Sequence, residues 1–168
     1  KIMKIKSLVL GTAAAFSVAS MAIADRGSDG HVNIIYWQAP SILNPYLSGG
    51  TKDVESSSMI IEPLARYNQD GELTPWLVNE IPTVANGGVS ADLMSITWKL
   101  TPGIKWSDGS ALTAHDVVFT GQYCMDPAGG CAQSNKLADV SNIEALDDLT
   151  VKVSFSVAKP FPYGPFVG

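Results

Sequence analysis

Trp98-Lys-Leu-Thr-Pro-Gly-Ile-Lys-Trp-Ser-Asp-Gly-Ser-Ala-Leu-Thr-Ala-His-Asp-Val-Val-Phe119 reads as a strand, a tight turn and the capped start of a helix. Ile96, Trp98 and Leu100 alternate with Thr97 and Lys99, the period-two pattern of a half-buried strand. Ser107-Asp108-Gly109 is turn chemistry, with Gly109 free to take positive φ. Thr113 then reads as an N-cap with Asp116, three residues on, as its capping-box partner. Leu112 and Val117 sit where a hydrophobic staple packs. Trp98 and Trp106 occupy core-facing positions, so both are expected to be largely buried.

Outward from this block, His31-Val-Asn-Ile-Ile-Tyr-Trp37 is a β-branched and aromatic run that predicts the first strand. Two prolines and an Asn-Pro step break it over residues 38–46. Residues 51–64 read as a helix with Val54, Ser58, Met59 and Ile61 on its inner side, capped by Thr51 or Asp53 and ended by Pro63. Gln69-Asp70-Gly71 marks a hairpin or tight turn, and Asn86-Gly-Gly88 a flexible connection. Further on, Val151, Val153, Phe155 and Val157 alternate with Lys152, Ser154 and Ser156. They predict a strand with one buried and one wet face, entered through an Asp147-Asp148 turn.

Residues 1–24 carry the marks of a secretory signal and are set apart from the fold. Lys1, Lys4 and Lys6 precede an apolar run from Ser7 to Ser20, and Ala22-Ile23-Ala24 is an A-x-A cleavage site. The run is too short and too rich in Ser and Thr for a membrane-spanning anchor, and no Cys near the cleavage site offers a lipid attachment. A soluble exported protein is expected, in the periplasm of a double-membrane bacterium. The chain after Ala24 has 8 basic and 16 acidic residues, a net charge of −8, which argues against nucleic acid or an anionic membrane as partner. Residues 159–168 read as a connection without a closing element, and the chain is expected to be the amino-terminal part of a longer protein.

Cys124 and Cys131 bracket Met125-Asp-Pro-Ala-Gly-Gly130. Export and an even cysteine count favour a disulfide there, worth about 2–3 kcal/mol in the chain-entropy model. Free thiols are the alternative, and a metal site a remoter one, since the spacing fits no zinc pattern. Catalysis finds little support. The two histidines, His31 and His115, have no partner pattern, and no G-x-S-x-G elbow, H-E-x-x-H or phosphate-binding loop occurs. Asp147-Asp148 as a carboxylate pair is outweighed by its turn chemistry. No cofactor is implied. A secreted hydrolase or a structural surface module remains the rival from another class.

Three landmarks in order resemble the family 5 extracellular solute-binding proteins, the dipeptide- and oligopeptide-binding components of ABC importers. Residues 98–119 follow the form W-x-L-x-x-G-V-K-F-x-D-G-x-x-L-T-A-x-D-V-V-F, with Ile104 for Val and Trp106 for Phe. Thr101 and Pro102 stand where members often carry a basic residue. Residues 62–77 match E-x-L-x-x-Y-x-x-D-G-x-x-x-P-x-L, and Asp147 to Phe155 a D-x-x-T-V-x-V-x-F strand.

The resemblance implies an α/β protein, mixed α+β over the residues present, of the bilobed type II periplasmic binding protein class. Residues 25–45 would begin lobe I with its first strand and cleft loop, and residues 46–168 would form its accessory subdomain. Trp37, Gln38, Ala39, Pro40 and Ser41 match the loop that contacts the peptide backbone in that family, just beyond a strand end where open sheets place ligands. It further implies no enzymatic turnover, a peptide ligand, a membrane permease as partner, and a monomer. Nickel, opine, murein-peptide and oligosaccharide binders belong to the same family.

Overall fold

The computed structural model describes residues 30–168, and the signal segment with its cleavage site lies outside them. The chain divides into two units, Lys1–Ile35 and Tyr36–Gly168. In the first, residues 31–35 are irregular and exposed, Ile35 almost completely. The strand expected over residues 31–37 is therefore not formed. Strand propensity alone does not make a strand, because the backbone N–H and C=O groups need a partner edge; none of the described strands pairs with these residues.

The second unit is built on a three-stranded antiparallel sheet in the order β3 (Ser95–Lys99), β5 (Thr150–Phe155), β4 (Val140–Asp147). Strand β5 lies in the centre, and its register sets Ile96 and Ile143 beside Val153, and Trp98 and Ala145 beside Val151. These apolar rows line one face, and Ile96, Trp98, Leu100, Val151, Val153 and Phe155 are all buried. Removing each such side chain from water contributes about 1.5–3 kcal/mol. Val157, assigned to the same strand by its spacing, lies beyond it and is exposed.

Helix α2 (Ala114–Met125) covers that face with Ala114, Val117, Gly121 and Cys124. It starts where its sequence says. The Asp116 carboxylate accepts the Thr113 N–H at 2.7 Å and closes the capping box. Gly121 is what lets the helix come close: a Cβ there would meet Ile143 Cδ1 at 2.2 Å and Phe166 Cζ at 3.3 Å. From the helix end the chain turns through Pro127–Gly130 to Cys131, and Cys124 and Cys131 are joined with their Cα atoms 4.9 Å apart.

A small hairpin, β1 (Ala65–Tyr67) and β2 (Leu73–Pro75), turns through Gly71 at φ +78. The Asn68 side chain accepts the backbone N–H groups of Asp70 and Glu72, which fixes the turn. Residues 166–168 pack against the hairpin. They run parallel beside β1, with the Leu64 N–H donating to Phe166 and the Gly168 N–H to Ala65.

Helix α1 spans Thr51–Ser57 only, with Gly50 as its N-cap. It differs from expectation in its buried face as well, which is polar: Asp53, Ser56 and Ser57, while Val54 and Met59 are exposed. Trp106 is a second departure. It opens the Ser107-Asp108-Gly109 hairpin tip, its N–H bonded to Ser110, and projects far enough from the sheet to stay 46% exposed.

Candidate ligand-binding site

Residues 37–41 form an exposed stretch with Trp37 71% accessible. Its shape is nevertheless fixed at the carboxyl end. The Asp53 carboxylate, itself only 3% exposed, accepts the Ser41 N–H at 2.6 Å and the Ile42 N–H at 3.4 Å through Oδ1. Its Oδ2 accepts the Ser48 hydroxyl at 2.7 Å. Lys52 Nζ pairs with Asp53 Oδ1 at 3.1 Å and donates to the Ser41 hydroxyl as well. These bonds to the ionised form, that of Ser48 foremost and then that of Ser41, hold the Asp53 carboxyl well below the usual carboxylate range. At the amino-terminal side Tyr36 stands beside Glu55, and its phenol is raised by desolvation first and by the neighbouring negative charge second.

The rest of the loop is tied to a different part of the fold. Tyr46 C=O accepts the Ala132 N–H at 2.8 Å, and Gln133 Nε2 donates to Pro45 C=O at 2.8 Å. Both donors follow Cys131 directly, so the bridge to α2 fixes the arm that grips residues 45 and 46. The spacing of the two cysteines carries no sign of this contact, since Gln133 and Pro45 are 88 residues apart.

The described residues gather no metal-holding cluster. No group of three His, Cys, Asp or Glu side chains is placed to hold a metal ion. His115 and Asp148 approach to 4.0 Å but both are largely solvated. Asp147 accepts the Leu149 N–H within its turn. Open cavities among the described residues include one of about 480 Å³ beside the disulfide and one of about 340 Å³ between Tyr46, Ile61, Arg66 and Gln133. Residues 37–41 line neither. Near the second, Arg66 stacks 4.0 Å over the Trp76 ring, whose Nε1 donates to Glu62 at 2.8 Å.

Comparison with known proteins identifies the class. Residues 72–167 match the family model described as bacterial extracellular solute-binding proteins, family 5, middle region. The chain belongs to that family. It is 28% identical over 137 residues to the oligopeptide-binding protein OppA of Bacillus subtilis, covering 74% of this chain and 23% of the relative. Among solved structures it resembles Haemophilus influenzae OppA in complex with RPPGFSPFR (TM-score 0.66, 24% identity, 74% of this chain and 26% of that one). A further likeness is to AgaA of A. tumefaciens R10 in complex with agropinic acid (TM-score 0.65, 29% identity, 74% and 24%). The chain thus spans about a quarter of the length of the proteins it matches.

Proposed function

We propose that this chain serves in the capture of peptides outside the inner membrane and their delivery to an ABC-type permease. In this reading the protein is exported to the periplasm by its signal segment and acts as a monomer. It binds without chemical turnover and closes two lobes around its solute. Residues 25–45 begin lobe I, residues 46–168 are its accessory subdomain, and the peptide main chain lies against Trp37, Gln38, Ala39, Pro40 and Ser41. The observation that carries the reading is the exposed but anchored stretch 37–41, held by a buried carboxylate at Ser41. An exposed apolar ring on a stretch whose carboxyl end is held beforehand suits a ligand laid along it. Relatives named for oligopeptide binding favour peptide as the solute. An opine is the second reading, favoured by the likeness to a protein solved with agropinic acid.

The test is Trp37→Ala in the whole protein, titrated calorimetrically with short peptides from a casein digest and, separately, with agropinic acid. Peptide affinity should fall about tenfold or more, the scale of one lost aromatic anchor, with the melting temperature unchanged. Undiminished peptide affinity would remove residue 37 from the site, and heat with agropinic acid alone would move the solute to the opine class.

A further inference from the structure

Among the described residues, Asp53 is an acid with both a nearly inaccessible side chain and several partners outside its own helical turn. Its carboxylate collects the Ser41 N–H, the Ile42 N–H and the Ser48 hydroxyl, which together enclose residues 41–48 as a loop. Lys52 holds the Ser41 hydroxyl from the other side and partly neutralises the buried charge. The Ser57 hydroxyl donates to the Asp53 carbonyl at 2.6 Å and ties the residue to the next helical turn. A helix so short, with so few apolar contacts on its buried face, would have little reason to bury an acid for packing alone.

We propose that Asp53 is the positioning residue of the ligand loop, fixing Ser41 and Ile42 so that residues 37–41 are presented in one conformation before solute arrives. This rests on the reading of 37–41 as the ligand contact. The physical gain is preorganisation: a loop already ordered loses less conformational freedom on binding, and the saving appears as affinity. Asp53 touches no ligand in this arrangement and acts only through the backbone it holds. A carboxylate suits the task better than an amide, since hydrogen bonds to an ionised acceptor are shorter and about twice as strong. Its two oxygens also receive the Ser41 and Ser48 donors from different directions.

The experiment compares the whole protein with its Asp53→Ala, Asp53→Asn and Ser48→Ala variants, and with Asp116→Ala as a control that weakens the α2 cap elsewhere. Amide exchange at Ser41 and Ile42 is followed by NMR, and binding is followed with the same casein peptides. Asp53→Ala should speed exchange at Ser41 and Ile42 about tenfold or more, as expected for loss of a charge-assisted hydrogen bond. Ile96 and Val153 should change far less. Asp53→Asn, which keeps an acceptor oxygen, should restore part of the protection, and Ser48→Ala should give a smaller loss at the same two amides. Peptide affinity should fall in the same order, while Asp116→Ala leaves Ser41 protection and affinity alone. Unchanged exchange at Ser41 in Asp53→Ala overturns the proposal, as does an equal loss in Asp116→Ala. Should Asp53→Ala not fold, Asp53→Asn and Ser48→Ala decide: no selective loss at Ser41 and Ile42 in either overturns it. If the exchange pattern appears and the wild-type protein binds no peptide, the positioning role stands and the peptide reading falls.

Discussion

At the residue scale, carboxylates act here as acceptors for the chain's own donors more than as partners for cations. Asp53 is held by Ser48 and Ser41, Asp92 by Ser90 and Met94, Asp108 by Ser110, and Asp147 by the Leu149 N–H and then Thr150. All four are lowered from the ordinary aspartate value for that reason, Asp53 the most. A depressed folded-state pKa contributes stability that is present above the unfolded value, near 3.8–3.9, and is lost as pH falls through the folded value. The melting temperature should therefore be nearly flat above about pH 5 and fall progressively on further acidification. Asp53→Asn should be less stable than wild type at neutral pH and show a shallower acid limb, as followed by calorimetry. Identical acid limbs would mean that Asp53 stays unperturbed. The sequence offered Asp53 only as a possible helix cap. Its actual partners lie at Ser41, Ile42 and Ser48, in a loop whose folding back no periodic pattern records.

At the scale of elements, the sheet and its covering helix depend on how closely α2 approaches β4. Gly121 permits that approach, and Ile143, 4% exposed, fills the space a side chain would need. Gly121→Val should cost about 2 kcal/mol or more through overpacking, well beyond any change in helix propensity, and denaturant unfolding measures it. A neutral substitution would mean that the helix sits further from the sheet. Strands β3 and β5 were legible because an apolar face against a wet one writes itself as period two, and α2 because its capping box is local. Helix α1 was misread because its buried residues are Asp53, Ser56 and Ser57, so the apolar positions point to the wrong side. Residues 31–37 form no strand, since strand propensity alone does not build a hydrogen-bonded ladder. Trp106 resembled a core residue by type and spacing, yet the hairpin tip carries it outward.

At the scale of the molecule, two supports converge on one loop from separate parts of the fold. Asp53 on α1 fixes Ser41 and Ile42, while the arm after Cys131 fixes Pro45 and Tyr46. What remains is mostly sheet, helix and hairpin, without a cluster suited to acid–base chemistry among the described residues. The family was legible from three sequence landmarks, and the fold agrees with it. The five candidate contacts, Trp37 to Ser41, came from resemblance, and the geometry adds how their carboxyl end is held. The most direct test is mass spectrometry of whatever the whole protein, purified from its native host without refolding, releases on denaturation. A mixture of short peptides in near-stoichiometric amount is expected, lost from preparations refolded after denaturation. A single non-peptide solute, or a protein that releases nothing and takes up no peptide afterwards, would contradict the peptide reading.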